Sequence, residues 1–219
     1  MTEPSYLHAT RMGYDTIAAD YAEHFSDELA AKPWDRALLA AFAEIVRKDG
    51  GGPVADLGCG PGRVTAHLDA LGLTVFGVDL SPAMVAVARR TFPGLRFDEG
   101  SMTDLDLPDG ALGGIVAWYS IINTPPEQLP ALFAELHRVL EPGGRLLLAF
   151  QVGAQPPRMT EWLGHAVTLD FYWQSPDLVE ERLSEVGLVV EARLVREPDG
   201  TEKVKRAYLL ARRTGRASA

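Results

Sequence analysis

Val54-Ala55-Asp56-Leu57-Gly58-Cys59-Gly60-Pro61-Gly62-Arg63 is the stretch on which the reading of this sequence turns. Four residues of strand character run into a turn with glycine at every second position. Such a turn, set directly after a strand, lets a ligand approach the backbone closely at the carboxyl edge of a sheet. Working outward from it, the chain alternates. A helix is expected over 62–71, a strand over 73–78, a helix over 82–91 with Pro82 in its first turn, and strands over 95–99 and 112–119. Leu129, Leu132, Phe133, Leu136, Val139 and Leu140 then mark one face of an amphipathic helix. Glu141-Pro142-Gly143-Gly144 ends it, and a fifth strand follows over 145–150. Strands and helices alternating at this length predict a parallel sheet covered on both faces.

Upstream, 11–31 reads as a helix carrying Tyr14, Tyr21 and Phe25, interrupted by Pro33. A second helix over 35–48 shows a buried face of Leu38, Leu39, Phe42, Ile45 and Val46. Downstream, 151–172 reads as an irregular excursion, followed by a helix over 176–186. Two strand-like runs close the chain, 188–197 and 203–212. The five residues Pro198-Asp199-Gly200-Thr201-Glu202 between them are too few for a parallel crossover, so they are expected to pair as an antiparallel hairpin.

Composition narrows the function. The chain has 219 residues, 47% hydrophobic and 23% charged, with a formal net charge of -9. That field repels phosphate backbones, so nucleic acid is not an expected partner. One cysteine, Cys59, permits no internal disulfide. The first ten residues lack the pattern of a signal peptide, and the longest apolar stretch, 111–122, is too short to span a bilayer. No membrane association and a cytoplasmic location are expected.

Two ligand chemistries compete for the glycine turn. A dinucleotide site asks for a small residue at the sixth position, where this chain has Arg63. Asp56, at the strand end, would repel a pyrophosphate and attract a cation. Asp79, in Gly77-Val78-Asp79-Leu80-Ser81-Pro82, ends the second strand and is placed to accept ribose hydroxyls, while Ser81 is the better N-cap for the next helix. Glu99-Gly100-Ser101-Met102, at the third strand's end, offers backbone and an apolar side chain to an adenine ring.

Taken in order, these segments resemble the motifs of class I S-adenosylmethionine-dependent methyltransferases of the small-molecule type. The likeness covers about residues 14–150: the turn at 54–62, Asp79, the loop from Gly100 to Pro108, and Leu140-Glu141-Pro142-Gly143-Gly144. The resemblance implies an α/β, three-layer Rossmann-like sandwich, with a mostly parallel seven-stranded sheet and an antiparallel last strand. It implies one domain over 1–219, with 1–50 as a helical lid segment and 151–175 as an acceptor-site insert. S-adenosylmethionine is the implied cofactor and a small molecule the implied methyl acceptor. Asp56, Gly58 and Gly60 would face the methionine part. Asp79 would hold the ribose, Leu80 and Met84 would lie against the adenine, and Met102 would offer its N–H to it. Ser101 stands where many members have aspartate. Ala117 and Trp118 would lie beside the sulfonium, and Tyr14 and Tyr21 resemble the lid of small-molecule members.

Methyl transfer from a sulfonium is an in-line displacement, so placement and exclusion of water matter most. A base is needed only for a protonated acceptor, and no catalytic residue is assigned. Tyr119, His165, Tyr172 and Trp173 are candidates for the acceptor pocket. None of the five histidines has metal-ligand spacing, so no metal is expected. The run Asp104-Leu105-Asp106-Leu107-Pro108-Asp109 reads as a solvated loop, and the basic tail Arg212-Arg213-Thr214-Gly215-Arg216 as a frayed end. Two alternatives stand beside the transferase: a cofactor-binding regulator without catalysis, and an NAD-linked oxidoreductase.

Overall fold

The structure, a computed structural model, describes residues 4–200 and 202–215. Met1–Glu3 of the N-terminal stretch, Thr201 of the hairpin turn and Arg216 of the basic tail lie outside the described residues.

Seven strands form one sheet: β1 (Val54–Leu57), β2 (Val75–Asp79), β3 (Arg96–Glu99), β4 (Leu112–Trp118), β5 (Leu140–Val152), β8 (Leu188–Arg196) and β9 (Lys205–Arg213). Their spatial order is β3-β2-β1-β4-β5-β9-β8. The first five are parallel, and β9 runs antiparallel to both of its neighbours. The mostly parallel sheet with one reversed strand is thus present, and the reversed strand is the last in sequence.

Both faces are buried, as the period of two in β4 and β5 requires. Ile115, Leu146 and Leu148 pack with Phe133 and Leu136 of α6 (Leu129–Val139) and with Val179 and Leu183 of α7 (Pro176–Glu185). The intervening Val116 and Leu147 pack on the opposite face with Leu39, Phe42 and Val46 of α3 (Pro33–Lys48) and Leu68 of α4 (Arg63–Ala70). Each such buried side chain contributes about 1.5–3 kcal/mol. The local signals agree with the packing. Ser81 caps α5 (Pro82–Thr91) by accepting the Met84 N–H at 3.1 Å, with Pro82 in the first turn and Arg89 and Arg90 in the last.

Three expectations are corrected. The first helix, α1, runs Ser5–His24 and is followed by a turn and the short α2 (Glu28–Ala31). Pro33 opens α3 at its first position, where the missing N–H costs nothing. The excursion after β5 is not irregular throughout. It folds into the hairpin β6 (Met159–Trp162) and β7 (His165–Leu169), closed by Leu163 and Gly164 at φ of 51° and 81°. Positive φ at both central residues is what a type I′ two-residue hairpin turn demands; leucine rarely adopts it, which hid the turn in the sequence. The tail is not frayed at Arg212 and Arg213. Arg212 pairs with Glu191 at 2.7 Å, the Arg213 guanidinium donates to the Leu140 carbonyl, and Thr214 bonds Gly187.

Candidate active site

The carboxyl ends of β1 to β4 open into a cavity of about 620 Å³, roofed by α1 and the β6–β7 hairpin. Its sheet side is built from backbone and carboxylates. Gly58, at φ 71°, has no room for a side chain: a Cβ there would meet the Ser120 Cβ at 2.3 Å. Gly60, at φ 53°, faces open space, so its backbone is bare to the cavity.

Asp56 is 1% exposed. Thr65 donates to its Oδ2 at 2.7 Å, while Oδ1 is buried without a partner. Burial pushes this carboxyl up to about 7, and the neighbouring charge of Asp79 adds to the effect. Asp79 accepts the Gly60 N–H on Oδ2 at 2.7 Å and the Ser81 N–H on Oδ1 at 2.8 Å. It therefore ties the glycine turn to the end of β2. Burial raises it to about 6, against the pull of those two N–H bonds. A carboxylate oxygen has more than one lone pair, so both oxygens can still accept from a ligand hydroxyl.

Two acids held in one buried cleft favour a cation and hydroxyl donors, and disfavour a second anion. The orphaned Oδ1 of Asp56 and the bare Gly60 backbone fit the amino-acid and sulfonium part of S-adenosylmethionine. They fit a pyrophosphate poorly.

The far side is aromatic. Trp162 sits among Tyr14, Tyr21, Phe25 and Phe171, with ring centroids 6.2, 5.4, 6.2 and 6.0 Å away. Tyr14 donates to Asn123 Oδ1 at 3.1 Å. Burial holds both tyrosine hydroxyls above their ordinary range, Tyr21 at about 12. Asp15, on α1, accepts from Ser81 Oγ at 2.5 Å and from the Ala83 N–H at 3.1 Å. The polar residues of α1 thus fasten it to α5 instead of leaving it in solvent.

Most residues singled out in the sequence line this one cavity: Tyr14, Tyr21, Asp56, Gly58, Gly60, Asp79, Leu80, Met84, Ser101, Met102, Trp118, Tyr119 and Trp173. Ser101 Oγ is engaged within its own turn, 2.8 Å from Thr103 Oγ1. Three residues do not reach the cavity. Ala117 is fully buried in β4, its side chain on the α6–α7 face. His165 starts β7 and meets Asp20 at 2.6 Å outside the cavity. Tyr172 bonds the Ile122 carbonyl through its N–H, and its ring is not on the cavity wall. Sequence reasoning missed Asp35, Asn123 and Arg206, which also line it. Asp35 reads as an ordinary acidic residue in a helix's first turn, and nothing in the sequence distinguishes it. Among the described residues no group of three His, Cys, Asp or Glu could hold a metal ion, and no helix is long and apolar enough to cross a membrane.

Comparison with known proteins agrees with this geometry. Residues 54–144 match the family model of a methyltransferase domain. The chain is 32% identical over 169 residues to carboxy-S-adenosyl-L-methionine synthase of Chromohalobacter salexigens, covering 63% of this chain and 61% of that protein. It is 30% identical over 162 residues to demethylmenaquinone methyltransferase of Beutenbergia cavernae, covering 74% and 63%. The chain thus spans less than two thirds of the length of these relatives. Magnesium protoporphyrin IX methyltransferase of Synechocystis, solved with bound S-adenosylmethionine, superposes with a TM-score of 0.71 at 18% identity, over 98% of this chain and all of that one. The 1,6-didemethyltoxoflavin-N1-methyltransferase of Burkholderia thailandensis gives 0.69 at 22%, over 98% and 92%. These two likenesses show the fold. The family match over residues 54–144, the sheet order and the glycine turn agree with one another: this stretch is similar to a methyltransferase domain, and the fold is that of the methyltransferases compared.

Proposed function

We propose that this chain transfers a methyl group from S-adenosylmethionine to a small-molecule acceptor held in the aromatic half of the cavity. The observation that carries this is the buried, unpartnered Oδ1 of Asp56 beside the bare Gly60 backbone. When bound, S-adenosylmethionine supplies a methyl group already activated on a sulfonium.

The chain's residues then have placement as their task. Asp56, Gly58 and Gly60 receive the methionine part. Asp79 receives the ribose hydroxyls. Leu80 and Met84 cover the adenine, with the backbone of Met102 and the Ser101 hydroxyl at its edge. Trp118 and Tyr119 stand where the two halves meet, above Ala117. Trp162, Phe171 and Trp173 hold the acceptor and keep water from the reacting atoms. Within the N-terminal segment, α1 acts as a lid through Tyr14 and Tyr21 while α3 belongs to the helical layer of the sheet, and 151–175 form the acceptor wall, in one domain.

The test is calorimetry with S-adenosylmethionine, S-adenosylhomocysteine and NADH, followed by turnover with small aromatic acceptors. Binding of the first two but not of NADH, with release of S-adenosylhomocysteine, is the expected result. Binding without turnover of any acceptor would make the protein a cofactor-binding regulator. NADH binding alone would make it an oxidoreductase.

A further inference from the structure

At the junction of the two halves, three side chains form a line of hydrogen bonds. Tyr208, on β9, is 1% exposed and donates its hydroxyl to Asp35 Oδ1 at 2.9 Å. Tyr119 and Tyr208 hydroxyls are 2.9 Å apart. Arg196 Nε also donates to the Tyr208 oxygen, at 3.2 Å. Tyr208 has one proton and has given it to Asp35, so its oxygen can only accept from Tyr119. The direction of the line is therefore fixed: Tyr119 to Tyr208 to Asp35. That leaves the Tyr119 oxygen with no proton of its own to offer the cavity, which it lines. It can only accept there. Tyr119 is moreover held at φ 54°, a costly conformation for a bulky residue and one that concentrates at functional sites.

We propose that Tyr119, Tyr208 and Asp35 are a proton relay that takes the proton from an acceptor's O–H or ring N–H, so that the acceptor is a weak acid such as a phenol, an enol or an N–H heteroaromatic. The inference rests on the methyltransferase reading above. As the bond from the acceptor atom to the methyl carbon forms and the sulfur–methyl bond breaks, the sulfur keeps the electron pair and loses its positive charge. The acceptor's proton moves to the Tyr119 oxygen, that of Tyr119 to Tyr208, and that of Tyr208 to the Asp35 carboxylate. One cation and one anion in a poorly solvated cleft are neutralised in the same event, which lowers the electrostatic cost of the product state. Asp35 lines the cavity and returns its proton to water once product leaves. Tyr119 is the group that meets the acceptor; Tyr208 and Asp35 act through it.

The groups that act on Asp35 are Tyr208 from β9, Arg196 from β8, Glu28 from α2 and Trp118 from β4, and Asp35 acts in turn on Tyr119. Arg206 lies over the Tyr119 ring, 5.8 Å from its centroid. Burial dominates at Asp35 and holds its carboxyl above the ordinary carboxylate value. The rate should therefore rise with pH across a limb lying above the usual carboxylate range.

The experiment offers the full chain S-adenosylmethionine and a panel of phenols, N–H heteroaromatics, primary amines and thioethers, reading release of S-adenosylhomocysteine. Turnover is expected with the phenols or N–H heteroaromatics. Tyr208→Phe and Tyr119→Phe should each lower kcat by about 100-fold or more while KM changes by less than about threefold. Asp35→Asn should also remove the acid limb of the pH profile, and Asp35→Glu should restore part of it. Affinity for S-adenosylhomocysteine should stay within about threefold in all four variants, because the relay lies outside the cofactor half. Tyr119 is only half-buried, so its variant reports on the relay even if loss of the Tyr208 hydroxyl unfolds the core. The relay is overturned if Tyr119→Phe keeps full kcat or if the acid limb survives Asp35→Asn. It is overturned equally if the chain binds S-adenosylhomocysteine yet methylates only amines or thioethers, or nothing in the panel. Failure to bind S-adenosylhomocysteine at all would remove the methyltransferase reading, and the relay with it.

Discussion

The two ends of the cavity are built by different means. At the sheet end, Gly58, Gly60, Asp56 and Asp79 sit on β1 and β2 or directly after them, and Asp79 bonds two backbone N–H groups. At the other end, Tyr14, Tyr21, Trp162 and Phe171 come from α1 and from the segment after β5, and they pack around Ile17, Val167 and Leu169. The first end is fixed by the sheet and has little freedom to change. The second is a set of side chains on elements that lie outside the sheet, fastened to it through α5.

Substitutions should separate the two ends. The largest effect is expected from Gly58→Ala. A side chain at φ 71° costs about 1–2 kcal/mol in backbone strain, and forcing it against Ser120 about 1–3 kcal/mol more. Cofactor binding should be lost, with a lower melting temperature. A Gly58→Ala variant that binds S-adenosylhomocysteine normally would mean the turn is not the cradle. Asp79→Ala should follow, at roughly 2–4 kcal/mol, a drop in affinity of about 30- to 1,000-fold by titration. Asp79→Asn should lose most of this as well. Its amide nitrogen would face one of the two N–H donors of Gly60 and Ser81, so the substitution sets donor against donor. Unchanged affinity in the Asp79→Asn variant would contradict the ribose assignment.

Trp162→Ala tests the other end. It removes the ring that four other aromatics surround. Acceptor turnover should fall at least about tenfold while S-adenosylhomocysteine affinity shifts by less than about threefold. Equal losses in both would merge the two halves into one site.

This division also explains what the sequence disclosed. The sheet end is written in short contiguous runs. A strand, a glycine turn and the carboxylate of Asp56 lie within ten residues, and Asp79 ends the next strand, so strand ends and spacing located Asp56, Gly58, Gly60 and Asp79. The mostly parallel sheet and its closing antiparallel hairpin followed from alternation and from a connection too short for a crossover. The other end joins positions far apart in the chain: Tyr119 meets Tyr208, which meets Asp35. No local pattern encodes such a meeting, so Asp35 went unnoticed. His165 drew attention as a lone histidine in the insert, yet β7 pairing turns it outward to Asp20. The β6–β7 hairpin was hidden because Leu163 occupies a turn position where glycine or asparagine is usual.

The smallest effect concerns motion. α1 is anchored by Ile17, by Asp15 on the α5 cap and by the β6–β7 hairpin. Amide hydrogen exchange over residues 5–24 should slow when S-adenosylhomocysteine binds, whereas β1 and β4 should be strongly protected in both states. Equal protection of α1 in both states would make it a structural helix and remove the lid.

The central claim is that the glycine turn and its two aspartates hold S-adenosylmethionine. A crystal structure of the complex with S-adenosylhomocysteine tests it most directly. The account predicts ribose hydroxyls on Asp79, the amino-acid part over Gly58 and Gly60 beside Asp56, and the sulfur pointing at Trp118 and Tyr119. A ligand bound away from Asp56 and Asp79, or with its sulfur turned from the aromatic chamber, would contradict it.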